Sequence, residues 1–192
     1  MLVDREAFLA AGGFDEDYFA YYEDVDLGWR LWTRGERCVQ ASRACVWQRE
    51  HGSEAILPAG RRLALLERNA LLSVVKNYEE ARARRVFRCA LALLAERERL
   101  APDPLRRRAC REGLLAATRA LPLAERKAAR VREGRRRQDA EIAHLFVDPW
   151  RVPIGGEPYA RRHVEVAELF GAADLFGPPP DPVRLFEESL CA

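Results

Sequence analysis

Apolar and polar positions follow the 3.6-residue helical period over most of this chain. Asp4 stands as a cap before Phe8 and Leu9, predicting a short helix to Ala11 that Gly12-Gly13 ends, since glycine takes positive φ cheaply. Phe14 to Tyr22 keeps no period and reads as a loop. Glu23 to Thr33 is a strong helix, with Leu27, Arg30-Leu31 and Arg34 at helical spacing and Gly35 as its stop. Val39 and the run Ala44-Cys45-Val46-Trp47 read as short strands parted by Ser42 and Arg43. Helix, strand, strand in that order suits the end of an α/β sheet. After Pro58, helices are expected over Arg61–Tyr78, Ala81–Leu100, Leu105–Ala120 and Leu123–Phe146, the last two split by Pro122. Residues 148–192 hold seven of the eleven prolines and read as a wrapped arm with helices near Tyr159–Phe170 and Pro182–Leu190. The expected organisation is 1–57, 58–147 and 148–192.

At 192 residues and 48% hydrophobic, the chain can bury a core of one domain, or of a small domain with an extension. It has no apolar run of about 18 residues to cross a membrane. Asp4, Arg5 and Glu6 interrupt any signal peptide, so a cytoplasmic location is expected. The five cysteines (Cys38, Cys45, Cys89, Cys110, Cys191) include no C-x-x-C pair, and read as reduced and structural. The net charge of +2 hides an asymmetry: residues 1–60 carry −5 (11 acids, 6 bases), and residues 106–137 carry +9 (12 bases, 3 acids).

Candidate chemistry gathers in residues 12–31, where carboxylates (Asp15, Glu16, Asp17, Glu23, Asp24, Asp26) alternate with aromatic rings. Glu23-Asp24 opens the second predicted helix, whose dipole favours an ionised carboxylate there. Such a group can act as general base toward a hydroxyl or pair with a cation. Asp26 points elsewhere, so Asp24 and Asp26 do not form a dyad. The structural alternative has Glu23 capping the helix and Asp24 paired with Arg30 or Arg34. Trp29 and Trp32, three apart, either pack or flank a sugar ring.

The set Arg5, Phe8, Gly12-Gly13-Phe14-Asp15-Glu16, Phe19, Tyr22-Glu23-Asp24, Asp26-Leu27, Arg30-Leu31 and Gly35 closely resembles the C-terminal half of the catalytic domain of family 2 glycosyltransferases. Gly28-Trp29-Arg30-Leu31-Trp32 resembles the bacterial rhamnosyltransferase-like branch. The resemblance is weaker through Arg68-Asn69-Ala70-Leu71, Lys76-Asn77-Tyr78, Arg135-Arg136-Arg137-Gln138-Asp139 and Asp174-Leu175-Phe176-Gly177. It implies a GT-A fold. The expected fold class is therefore α/β, an incomplete sheet from the C-terminal part of such a domain, followed by a mainly α-helical extension. It also implies inverting transfer of a sugar from a nucleotide diphosphate sugar to a glycan or lipid-linked acceptor. Asp24 would be the base, with Gly13, Phe14, Glu23 and Trp29 lining the acceptor site. A divalent cation, Mg²⁺ or Mn²⁺, would sit on the diphosphate. Family members place a histidine ligand where this chain has Gln48, so Gln48 or the nearby His51 is the candidate ligand.

Asp15-Glu16-Asp17 and Asp24-Val25-Asp26 both spell D-x-D, the family's metal motif, but neither has its strand-end context. The donor-binding half has no counterpart here, so the chain is expected to be a truncated enzyme, inactive alone. The competing expectation is a non-catalytic helical interaction or membrane-docking module derived from such an enzyme. Its basic helices would be a solvated face or a surface for anionic lipid at the inner face of the plasma membrane. Nucleic acid is not expected, because no recognition motif accompanies the charge.

Overall fold

The most extensive packing joins α3 (Ala59–Asn77) to α5 (Pro104–Glu133), and α4 (Glu80–Arg99) packs against both. The computed structural model describes residues 1–41, 43–45, 47, 57–145 and 156–176. The remaining helices among them are α1 (Arg5–Ala10), α2 (Glu23–Thr33), α6 (Asp139–Ile142), α7 (Gly156–Leu169) and α8 (Ala173–Phe176), with 3-10 turns at Glu16–Tyr18 and Ala143–Leu145.

Gly113 lets α5 approach α3. A Cβ there would lie 2.7 Å from Glu67 Cβ and 2.9 Å from the Ala64 carbonyl oxygen. Leu71, Leu94, Cys110 and Ala117 form the seam joining α3, α4 and α5. Burying a leucine such as Leu71 contributes about 1.5–3 kcal/mol. α7 lies on α4 through Cys89, Val164 and Ala167. α2 rests on α3, with Trp29 edge-on to Tyr78 at 4.6 Å beside Ile142 of α6.

Several helix ends are closed by specific caps. Gly12, Gly35 and Gly171 all have positive φ just past α1, α2 and α7. The next amide reaches back in each case: Gly13 to Phe8, Glu36 to Leu31 and Ala172 to Ala167, at 2.9–3.0 Å. Arg137 caps α2 further, donating to Trp32, Gly35 and Glu36 carbonyls while its guanidinium stacks on Trp32 at 5.3 Å. Glu79 and Asp139 cap each other's helices: Glu79 N–H donates to Asp139 Oδ2 (2.7 Å) and Asp139 N–H to Glu79 Oε2 (3.0 Å).

The expected α/β class is not what forms. Among the described residues there is no strand, and the architecture is mainly α-helical. Val39 is 76% exposed and Trp47 fully exposed, and no strand among the described residues takes up their backbone groups; an isolated strand is not stable in water. Val46 lies outside the described residues. The break expected at Pro122 is also absent, because α5 runs through it. Pro122 is exposed, so the carbonyl it leaves unpaired meets water, and packing on α3 outweighs the proline cost. The helix expected to reach Phe146 instead stops at Gly134. The expected helix near Pro182–Leu190 lies outside the described residues. Cys38, Cys45, Cys89 and Cys110 are free thiols, the last two buried.

Replacing Gly113 by alanine gains up to about 1 kcal/mol of helix propensity. Forcing α3 and α5 apart costs about 1–3 kcal/mol. Because one obstacle is backbone, the clash wins. Gly113→Ala is expected to lower the denaturant midpoint; an unchanged or raised midpoint would contradict the close approach.

Candidate functional site

The acidic loop is built on a buried carboxylate. Asp26, fully buried on the inner face of α2, accepts from Arg30 Nε (2.9 Å) and from Arg30 Nη2 (2.6 Å). It also accepts from Lys76 Nζ (2.9 Å), Asn77 Nδ2 (2.9 Å) and the Tyr18 hydroxyl (3.3 Å). Arg30 then reaches beyond α2 to the carbonyls of Ala11 and Gly13 (the latter 2.8 Å), which ties the Gly12-Gly13 turn to the helix. Lys76 also donates to Asp15 (2.6 Å), and Lys127 of α5 bridges Asp15 and Asp17. The first D-x-D lookalike is thus neutralised by two ammonium groups. Burial pushes the Asp15 carboxyl up, but hydrogen bonds from Lys127 and Lys76 more than reverse this and hold it at about 2, against an ordinary 3.8. Burial, and then the Asp26 charge, push the Tyr18 phenol up.

Between this anchor and Asp24 the backbone is strained. Phe19, Tyr21 and Tyr22 all adopt positive φ, at 63°, 69° and 67°. Each such non-glycine residue costs on the order of 1–3 kcal/mol and persists only when its surroundings enforce it. Here the enforcing group is Asn69, fully buried on α3, whose amide donates to the carbonyls of Tyr18 (3.0 Å), Ala20 (2.9 Å) and Tyr21 (2.8 Å). Arg68 orients that amide by donating to its oxygen, and holds the Asp17 carbonyl as well, both at 2.7 Å.

The loop delivers Glu23 and Asp24 to the start of α2. Asp24 is exposed; it accepts from the Val25 amide (2.8 Å) and makes no ion pair among the described residues. Asp26, not Asp24, takes Arg30. Glu23 has a buried Oε2 with no hydrogen-bond partner, an acceptor position that native structures seldom leave empty. Gly13 has positive φ, and a Cβ there would press on the Phe8 ring at 3.3 Å. Phe14 is 44% exposed and edge-on to Phe8 at 5.7 Å. Trp29 faces the other way, buried against Tyr78. Asp24 and Glu23 therefore share one end of α2, with Gly13 and Phe14 on the turn that Arg30 fastens to it and Trp29 in the packing seam.

Tyr22 links this end of α2 to a second feature. Its phenol is pushed up by burial and then by the charge of Glu67, with Arg97 opposing. Glu67 and Arg97 line a cavity of about 470 Å³ between α3, α4, α5 and α7. A cleft of about 520 Å³ lies on the opposite border of the acidic loop, between the Gly12 turn and α5, where Arg34 and Arg130 join Lys76 and Lys127. Gln48 and His51 lie outside the described residues. Among the described residues no cluster of three His, Cys, Asp or Glu side chains could hold a metal ion, and Asp15 and Asp17 are already paired with lysines. These residues do not fit a divalent cation.

No family model and no solved structure matches the chain. A 59-residue stretch, 31% of this chain, is 48% identical to N-acetylglucosaminyl-diphospho-decaprenol L-rhamnosyltransferase of Mycobacterium tuberculosis, in each of two strains. The shared stretch covers 19% of that protein's length. The chain thus carries a partial likeness to a glycosyltransferase. None of the described helices is long and apolar enough to cross a membrane.

The buried anchor and the exposed carboxylate should separate in a stability assay. Asp26→Asn leaves Lys76 and Arg30 buried with too little countercharge and is expected to cost about 3–5 kcal/mol. Asp24→Asn should stay within about 0.5 kcal/mol of the parent in urea melts. Equal losses would contradict this division.

Asp15 sets an acid limit. Its folded value is depressed, so its stabilisation is fully present above the ordinary 3.8 and lost as pH falls toward about 2. The thermal-midpoint advantage of the parent over Asp15→Asn should therefore shrink steadily across that interval. A constant difference would show that Asp15 is not held ionised by Lys76 and Lys127.

Proposed function

We propose that the start of α2 is the acceptor side of a glycosyltransferase site of the family 2 kind, with Asp24 as the general base. The observation that carries this reading is the pairing of an exposed Asp24, with no ion pair among the described residues, and the orphaned buried Oε2 of Glu23, both presented by a strained loop. A site that must bind a hydroxyl needs one carboxylate to accept its proton and a second acceptor to orient it. Strain that a fully buried Asn69 enforces is the kind of cost found at functional loops. The partial likeness to a rhamnosyltransferase supports the same reaction class.

In this reading Glu23 Oε2 accepts a hydrogen bond from the bound acceptor, and Asp24 takes the proton of the attacking hydroxyl. The hydroxyl oxygen then displaces the nucleotide diphosphate from the donor sugar in one inverting step. Phe14 and the Gly13 backbone shape the acceptor wall. Trp29 acts by packing, holding α2 against Tyr78. A divalent cation, with Gln48 or His51 as ligand, belongs to the donor diphosphate and to residues beyond those described. The acceptor is a lipid-linked saccharide, the class named for the mycobacterial relative. An inner-membrane surface is the corresponding location.

The test is a chimera in which the shared stretch of the mycobacterial rhamnosyltransferase is replaced by its counterpart from this chain. It is expected to transfer sugar. The Asp24→Asn change should lower kcat by about 10²–10⁴-fold, the usual contribution of a general base, with donor KM little altered. Full turnover by the Asn variant would remove Asp24 as base.

A further inference from the structure

The cavity between α3, α4, α5 and α7 has a wall and a charge pattern that narrow its occupant. At about 470 Å³ it falls within the range of small-molecule sites. Leu63, Leu100, Ala101, Pro102 and Ala109 supply an apolar wall. Its charged groups are already matched to one another. Arg97 grips Glu67 with two hydrogen bonds (2.6 and 2.8 Å), and Arg106 faces Asp103 at 3.4 Å. Arg97 also lies over the Tyr159 ring at 5.5 Å. Both cations among the described lining residues thus already face a carboxylate, which does not favour a sugar nucleotide. An uncharged hydrocarbon fits, because it gains by leaving water and asks for no polar partner. Glu67, which walls the cavity, acts by its charge on the Tyr22 phenol, two residues before Asp24.

We propose that this cavity seats the isoprenoid chain of a polyprenyl-phosphate-linked acceptor. The assignment rests on the glycosyltransferase reading of Asp24 and gives the acceptor a second point of attachment. The choice of isoprenoid over other hydrocarbons follows the decaprenol in the relative's name together with the neutrality of the cavity.

The purified 192-residue chain can be titrated with farnesyl phosphate by isothermal calorimetry, with palmitate and inorganic diphosphate as comparators. Saturable binding with a negative heat-capacity change is expected, the mark of apolar burial. Diphosphate should neither bind there nor compete. Ala101→Phe, which fills the cavity, should weaken binding by about tenfold or more, the equivalent of one or two methylenes of lost burial. Should that variant lose its cooperative thermal transition, Leu63→Phe takes its place. No saturable binding, equal affinity for palmitate, or unchanged binding by a folded cavity-filling variant would overturn the proposal.

Asp24→Asn should leave farnesyl phosphate binding intact. Failure of the chimera to transfer sugar while this binding persists would sink the catalytic reading and leave the cavity a lipid site of another role. Transfer to a lipid-free acceptor without farnesyl phosphate binding would sink only the cavity proposal.

Discussion

Asp26 is the group on which the start of α2 and the acidic loop before it depend. A carboxylate withdrawn from water costs several kcal/mol unless its lone pairs are filled. Here they are filled by Arg30, Lys76, Asn77 and Tyr18, drawn from three separate parts of the chain. Those donors are themselves committed elsewhere: Arg30 to the Gly12-Gly13 turn, Lys76 to Asp15, Tyr18 to Ser73. One buried charge therefore fixes the turn, the 3-10 segment and α2 relative to α3. The geometry of Glu23 and Asp24 is set from below, by polar contacts rather than by a hydrophobic layer.

The division of labour between neighbouring acids follows. Asp24 and Asp26 are two residues apart on a helix, so they point to different sides, and their environments differ completely. The inner one is saturated and structural; the outer one is exposed and makes no ion pair among the described residues. Asn69 adds a second constraint. By collecting three carbonyls it holds Phe19, Tyr21 and Tyr22 at positive φ, which those side chains would otherwise avoid. Rigidity in the scaffold is thereby converted into a defined direction for the start of α2.

Much of the helical layout was legible from local signals. The bounds of α2 can be read from its carboxylate start and Gly35, and α1 from Asp4 and the glycine pair, because capping is a short-range matter. Pro122 misleads for the opposite reason: whether a proline breaks a helix depends on the packing around it, and α5 has α3 to lean on. The strands expected at Val39 and Ala44–Trp47 rest on β-propensity alone, which decides nothing without a partner strand. The site was half legible. Glu23, Asp24, Gly13 and Phe14 stand out in pattern, whereas the Asp26 network does not, since its pairs are separated by some fifty residues. The one available hint was the unusual placing of Asn69, Lys76 and Asn77 on a face of α3 that periodicity assigns to the core.

The reciprocal caps of Glu79 and Asp139, and the clasp of Arg137 over the end of α2, carry a consequence for the order in which the molecule is made. Residues 12–33 leave the ribosome before the groups that lock them, which arrive in three instalments: Asn69, Lys76 and Asn77, then Lys127, and last Arg137. At about 5–20 residues per second, several seconds pass between the first acidic residue and its final restraint. Until α3 has emerged the carboxylates remain hydrated and the tyrosine loop lacks the Asn69 amide that holds its positive-φ path. This acidic segment thus takes its shape only after later residues have been made, and its form is a record of α3, α5 and Arg137.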